Sequence, residues 1–302
     1  MTNKTKYYGI VPPLITTLFE DETFDKESYV KQIEYCIRGG VHGIFAMGSG
    51  GEGVHVAREV WRQANKTAIE TAGNRVPVYC GAIDCSTARV IENVRYLEDI
   101  GAKLAVITPP FYMPGMYQTE ILRHFYTIHQ KTGIDICIYN MPGLTGGIDI
   151  APETISELAA LDRVVAYKDS CPNWDHHMRT LYRLKDKDIA VFVGGEELFA
   201  ASLLFGSQGN ISGLAPSFPK LFVTLFNAAG AGDIPRVVEL QRQVLRLKEI
   251  NYTGKSGFSG MKYALAAVKI GTGKVCTPIE PLTDAEKLAI ATIAAEFREY
   301  LE

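Results

Sequence analysis

The chain predicts a (β/α)8 barrel, an α/β fold of eight parallel strands alternating with helices, followed by a C-terminal helical extension. Three observations carry that prediction. Eight short runs rich in Val and Ile alternate with longer segments of helical period. Each strand-plus-helix unit is roughly 20–35 residues long, which suits a barrel better than an open sheet. Past the eighth unit, residues 231–302 read as helix only. We therefore divide the chain into a barrel, 1–230, and an extension of the same domain, 231–302. At 302 residues it is long enough to bury a large core without a disulfide or metal staple.

The elements follow in order. The first strand-like run is 9–15, and Asp25 caps a helix over 26–38. Run 43–47 leads to a helix over 57–72, and run 76–80 to a helix over 87–100 capped by Ser86. Run 104–107 precedes helix 119–131, and run 136–139 precedes helix 152–161. Runs 164–167, 190–193 and 210–212 complete the eight, with a helix over 198–205 before the last. Short apolar runs of this kind suit parallel strands buried on both faces. The tail offers helices over 234–250, 260–270 and 284–300, the last opened by a capping-box-like Thr283-Asp284-Ala285-Glu286.

Composition removes several functions. Net charge is −3 with a pI near 6.1, and no Lys/Arg block gives a nucleic-acid surface. None of the six cysteines forms a C-x-x-C pair, which predicts free thiols in a reducing compartment. The start of the chain is too polar for a signal peptide, and no apolar stretch approaches the roughly 18 residues that span a bilayer. A soluble cytoplasmic protein without membrane contact is expected. The six histidines show no metal-ligand spacing, so no metal is expected, and no G-x-S-x-G elbow marks a serine hydrolase.

Barrel chemistry sits at the C-terminal ends of the strands. There the chain places Gly48-Ser49-Gly50-Gly51-Glu52, Thr108-Pro109-Pro110-Phe111-Tyr112, Tyr139-Asn140-Met141-Pro142, Lys168-Asp169-Ser170 and Gly194-Gly195-Glu196-Glu197. Lys168 closes an apolar run, an unusual place for an ammonium. One reading is a lysine stepping out of a strand into solvent. The other is a desolvated amine, a nucleophile toward carbonyl carbon. Side-chain alternation puts Cys137 with Tyr139 on one face, and Val164, Ala166 and Lys168 on another. If both faces point inward, phenol and amine meet above the small Cys137 and Ala166, and Tyr139 can transfer protons.

Gly48-x-Gly50-x-x-Gly53 formally matches a dinucleotide fingerprint, but it lies in the second unit and no acidic residue ends the next strand. Backbone N–H groups of such a turn suit a small anion such as a carboxylate, with Ser49 adding a hydroxyl. A purely structural tight turn is the competing use. Glu196 and Glu197 have two readings of equal standing: an acidic pair favoured at a helix N-terminus, or acceptors for substrate hydroxyls.

Taken together, in order and spacing, the Gly48–Glu52, Tyr139–Pro142 and Lys168–Ser170 motifs resemble the dihydrodipicolinate synthase / N-acetylneuraminate lyase superfamily of class I pyruvate aldolases. The likeness covers nearly the whole chain. It implies that Lys168 forms an imine with the keto carbon of pyruvate or a 2-keto acid, with Tyr139 as proton-transfer group. It implies that Ser49 and Gly50 hold the pyruvate carboxylate and that Ser49 passes protons, with Gly51 and Ser170 as further candidate substrate-binding residues. Ile211 would offer a backbone carbonyl. No metal or organic cofactor is implied, and a homotetramer built from tight dimers is expected.

Three departures narrow the substrate. The synthases carry an arginine where this chain has Leu144, and leucine cannot pair a second carboxylate. The family usually places a tyrosine, reaching in from a neighbouring subunit, at Phe111, which cannot relay a proton. Tyr112 on a shifted loop, or water, would have to replace it. Gly50 stands where a second hydroxyl is usual. The Gly48-Ser49-Gly50-Gly51-Glu52 form, with Leu144-Thr145-Gly146 after the tyrosine motif, is most similar to aldolases of 2-keto-3-deoxy sugar acids, and Glu196 and Glu197 fall where sialic-acid lyases place acidic residues against the sugar hydroxyls. The expected reaction is reversible cleavage to pyruvate and a small hydroxyaldehyde. A lyase of the sialic-acid or dihydrodipicolinate type, a dehydratase or hydratase-aldolase using the same imine, and a non-catalytic 2-keto acid sensor are the alternatives.

Overall fold

The computed structural model describes residues 6–112 and 115–301. Its eight strands are β1 (Gly9–Ile10), β2 (Ile44–Ala46), β3 (Val78–Gly81), β4 (Leu104–Ile107), β5 (Asp135–Asn140), β6 (Val164–Asp169), β7 (Ala190–Val193) and β8 (Gly209–Asn210). All pair in parallel, in the order β1-β8-β7-β6-β5-β4-β3-β2. A bridge between Pro13 and Phe45 closes the ring, with Phe45 N–H donating to the Pro12 carbonyl at 2.9 Å. The predicted (β/α)8 barrel is the fold observed. β1 is shorter than expected because Pro12 and Pro13 have no N–H to continue the ladder.

The helices around it are α1 (Lys26–Arg38), α2 (Arg58–Ala72), α3 (Thr87–Asp99), α4 (Gln118–Lys131), α5 (Pro152–Leu158), α6 (Trp174–Leu184), α7 (Phe199–Leu204) and α8 (Pro219–Gly230). The Asp25 carboxylate accepts the Ser28 N–H at 3.0 Å, and the Ser86 hydroxyl accepts the Arg89 N–H at 3.4 Å, as their capping positions predict. Beyond the barrel lie α9 (Ile234–Lys248), α10 (Gly257–Ala267) and α11 (Asp284–Glu296), the last opened by a capping box of Thr283 and Glu286.

Two apolar cores divide the strands by parity. Val11, Phe45, Tyr79, Leu104, Val106, Cys137, Tyr139, Ala166, Phe192 and Ile211 fill the barrel interior. The alternate residues, such as Ala105, Ile107, Ile136, Ile138 and Tyr167, pack against the helices, and that outer core runs on into α9 and α11 through Leu240, Val244, Leu247 and Ile290. Parity fails at one place. Ile136 pairs with Val164 but Cys137 with Ala166, so β6 carries an extra residue. Val164 therefore joins the outer core instead of sharing the inner face with Ala166, as strict alternation predicts.

Candidate active site

The register β5·β6 sets Tyr139 directly beside Lys168, above the pair Cys137 and Ala166. Lys168 is inside β6, not beyond its end, and is only 4% exposed, so it does not step into solvent. Its Nζ lies 4.1 Å from the centroid of the Tyr139 ring and 5.2 Å from that of Phe45. The small residues below leave room for both polar groups. Burial pushes the Cys137 thiol up to about 12, so it stays a neutral filler.

The Ser49 and Tyr139 hydroxyls approach to 3.5 Å. Burial alone would raise the Tyr139 phenol, but the Lys168 ammonium and hydrogen bonds with Ser49 and Ser170 outweigh it, so the phenol lies below its ordinary value. Ser170 is fixed by its N–H, which donates to the Asn140 carbonyl at 2.9 Å, and by close packing on Gly194.

The loop after β2 curls on itself. Gly51 and Gly53 donate their N–H groups to the Gly48 carbonyl at 3.1 Å, and Glu52 donates to the Ser49 carbonyl at 2.9 Å. Gly51 thus spends its N–H inside the turn, and a Cβ there would come within 2.8 Å of the Leu14 carbonyl. Gly51 lies behind the turn, whereas Ser49 and Gly50 face the cavity. A side chain at Gly50 would meet only ordinary contacts, the nearest at 3.9 Å, so glycine leaves space at the cavity wall there.

That cavity has a volume of about 640 Å³ and brings together Ser49, Gly50, Tyr139, Leu144, Lys168, Ser170, Glu196, Glu197 and Ile211. Phe111 does not line it. It borders an adjoining chamber of about 230 Å³, which Ser49 and Leu144 share. Tyr112 is 94% exposed, so within this chain it does not replace the missing phenol. Leu144 presents an apolar, half-exposed side chain to both spaces.

Glu196 and Glu197 satisfy parts of both readings. They open the short 3-10 turn ahead of α7, and they line the cavity. Lys248 from α9 grips the pair, 2.6 Å from Glu196 Oε2 and 3.2 Å from Glu197 Oε2. The Tyr252 hydroxyl donates to Glu197 Oε1 at 3.0 Å. Burial opposes each charge, yet the pairing prevails: Lys248 is held above its ordinary value and Glu197 below.

Three features escaped the sequence reading. Glu52 is fully buried, ion-paired with Lys262 of α10, and accepts the Cys276 N–H at 2.9 Å. The signal was there: Lys262 is a lone charge in an otherwise apolar helix. Behind Lys168, Asp169 accepts from His177 Nδ1 at 3.0 Å and lies 3.5 Å from His176 Nδ1. Burial would raise this carboxyl, but the two histidines bring it down to about 2, while Asp169 lifts His176 to about 9 against its own burial. The adjacent His176 and His177 both meet the one Asp169 carboxylate. Asp149, Cys171 and His176 also offer ligand atoms within 4.8 Å of one another, but His176 Nε2 lies 2.9 Å from the Ile150 carbonyl. Finally, Phe258 and Met261 of α10 line the cavity from the extension.

Comparison with known proteins agrees with this architecture. The model of the dihydrodipicolinate synthetase family matches residues 6–296. A 4-hydroxy-tetrahydrodipicolinate synthase of Methanococcoides burtonii is 29% identical over 290 residues, spanning 96% of this chain and 98% of its own. A protein of Thermofilum pendens named DapA-like lyase is 30% identical over 295 residues, spanning 96% and 97%. YagE, a prophage protein of the dihydrodipicolinic acid synthase family from E. coli K12, solved in complex with pyruvate, has a TM-score of 0.91 at 25% identity over 97% of this chain and 99% of its own. The dihydrodipicolinate synthase of Bacteroides thetaiotaomicron has a TM-score of 0.90 at 31% identity over 96% and 98%. No helix among the described residues is long and apolar enough to cross a membrane. By its sequence and its fold, the chain belongs to the dihydrodipicolinate synthetase family of lyases.

Proposed function

We propose that this lyase reversibly splits a 2-keto-3-deoxy sugar acid into pyruvate and a hydroxyaldehyde through an imine on Lys168. The observation that carries the reading is the buried Lys168 amine against Tyr139, with the Ser49 hydroxyl 3.5 Å from the phenol at the floor of the cavity. The neutral amine attacks the keto carbon, and loss of water leaves the imine. A base removes the proton of the C4 hydroxyl, the C3–C4 bond breaks, and its electron pair moves into the protonated imine to give an enamine. The aldehyde leaves, C3 takes a proton, and water releases pyruvate and the amine. The imine is the electron sink, so the chemistry needs no cofactor.

Tyr139 is the proton carrier in this scheme, and Ser49 and Gly50 receive the substrate carboxylate. Pyruvate bound to the family member from E. coli is consistent with that assignment. Ser170 supports the phenol, and Ile211 lines the wall beside the reacting carbons. Leu144 disfavours a second carboxylate near the aldehyde carbon, so the synthase reaction of several relatives is the second choice. A homotetramer is the assembly this reading expects.

Borohydride added with pyruvate is expected to trap one covalent adduct, mapped to Lys168 by mass spectrometry and lost in Lys168→Ala. Pyruvate release from a panel of five- and six-carbon 2-keto-3-deoxy acids then tests the substrate. Reversible pyruvate binding without an adduct would instead mark a non-catalytic binder. Activity confined to aspartate semialdehyde would mark a synthase.

A further inference from the structure

Tyr139 is 2% exposed and Lys168 4%, so both trade protons with solvent only through the spaces beside them. The large cavity serves while it is empty, but a bound substrate fills it. The adjoining chamber of about 230 Å³ lies on the other side of Ser49, which lines both spaces. It has room for more than one water molecule. The Ser49 hydroxyl, 3.5 Å from the phenol, therefore connects the reacting group with that chamber.

Among the described residues that line the chamber, His55 is the one titratable side chain, and most of the others, such as Ile83, Phe111 and Leu144, are apolar. The Thr145 hydroxyl lies 3.1 and 3.0 Å from the Met141 and Ile148 carbonyls, which hold its proton. His55 belongs to the same turn as Ser49. Its N–H donates to the Glu52 carbonyl at 2.8 Å, and its ring centroid lies 6.4 Å from that of Phe258, which lines both spaces. On its outer side His55 is exposed and borders a further cavity of about 450 Å³. The charged groups there are engaged elsewhere: Arg89 pairs with Asp84 at 2.9 Å, and the Arg58 guanidinium lies 4.3 Å from the Trp61 ring centroid. An imidazole with one side on the chamber and the other in solvent suits a group that takes and releases protons near neutral pH.

We propose that His55 is the outer end of a proton path that runs from Tyr139 through the Ser49 hydroxyl and water in the chamber. With pyruvate on Lys168, the phenolate takes a proton from C3, and the C–H electron pair passes into the protonated imine to give the enamine. The phenol then hands its proton to Ser49, Ser49 hands its own to chamber water, and that water hands one to the neutral His55, which releases it to solvent. The reverse sequence returns a solvent proton to C3. Phe111, at the same chamber, has no hydroxyl to take part. The path rests on the imine of the lyase reading above and adds the group that joins it to solvent.

Exchange of the pyruvate methyl protons in D2O, followed by NMR, reads this path without any aldehyde. His55→Gln keeps a hydrogen-bonding side chain that does not carry a proton, and is expected to slow exchange at least about tenfold, in kcat and with KM for pyruvate within about twofold. His55→Ala is expected to show the same loss, and free imidazole should restore its exchange with saturation while leaving His55→Gln slow. Borohydride trapping of pyruvate is measured in parallel on each enzyme. Trapping with exchange at the wild-type rate in both variants overturns the proposal and leaves the imine intact. A loss carried by KM, or one that imidazole does not restore in His55→Ala, assigns His55 to packing and overturns it as well. No trapping in the wild type takes down the lyase reading and this inference with it.

Discussion

Tyr139 is where two opposing effects meet. Burial should keep the phenol protonated, while Lys168 at 4.1 Å from its ring and two neighbouring hydroxyls favour the phenolate. A phenol biased toward losing its proton suits a group that must take one and return it. Tyr139→Phe keeps the ring and is expected to lower kcat at least about 100-fold, while borohydride trapping continues at a reduced rate. A loss under about threefold in steady-state pyruvate release would remove Tyr139 from the proton path. Asp169 illustrates a different use of charge. Its carboxyl falls from 3.8 to about 2, so its contribution is present above pH 3.8 and lost as pH falls through about 2. His176 rises from 6.5 to about 9, so its contribution is complete below pH 6.5 and lost as pH rises through about 9. These are two sides of one interaction, on the order of 2 kcal/mol, and are not added. Thermal melts of the wild type should therefore peak between about pH 4 and 6.5 and decline toward pH 9. Asp169→Asn should be less stable at pH 5 and lose most of that alkaline decline. An unaltered alkaline limb in the variant would assign the decline to other groups.

At the level of elements, the barrel was legible because its strands bury both faces and most of its helices have an apolar stripe. Alternation put Tyr139 and Lys168 on faces that could both point inward, and the β5·β6 pairing supplies the register that sets them side by side. What alternation missed was the extra residue in β6, because a bulge inserts a residue without altering composition. Helix α6 was obscure because His176, His177 and Thr180 occupy core positions where an apolar residue would mark the stripe. Helix α8 was obscure for the opposite reason: it is apolar at most positions, and its polar side is reduced to Lys220, Thr224 and Asn227. The Gly-rich turn after β2 was legible, but its anchor was not. Glu52 ties the turn to α10 through Lys262 across more than two hundred residues of sequence. Lys262→Met would leave Glu52 buried and uncompensated, an effect of about 3–5 kcal/mol. We expect a matching fall in the urea midpoint and weaker pyruvate binding, since the turn loses its brace. Glu52→Gln added to Lys262→Met should recover part of the stability, because no bare charge remains. A double variant no better than the single would show that packing, not charge, holds the joint.

Across the whole molecule, the extension is joined to the barrel in three ways. Its helices share the outer core, with Leu240, Val244, Leu247 and Ile250 fully buried among barrel residues. Lys262 braces the turn after β2, and Lys248, Phe258 and Met261 complete the cavity wall. Four fully buried aliphatic side chains contribute on the order of 10 kcal/mol of transfer free energy, comparable with the net stability of an average domain at about 5–15 kcal/mol. A barrel stripped of the extension would expose that surface and also lose the partner of buried Glu52. The extension has no core of its own, since its buried side chains belong to clusters it shares with the barrel, so the two should unfold together. Calorimetry is expected to give one endotherm, with the loss of near-ultraviolet ellipticity following the same curve as the release of trapped-adduct competence. Truncation after residue 230 should yield no cooperative transition at all. Two separated endotherms, or a truncated barrel that melts sharply and still captures pyruvate at Lys168, would mean that the extension is an attachment to a barrel already complete without it.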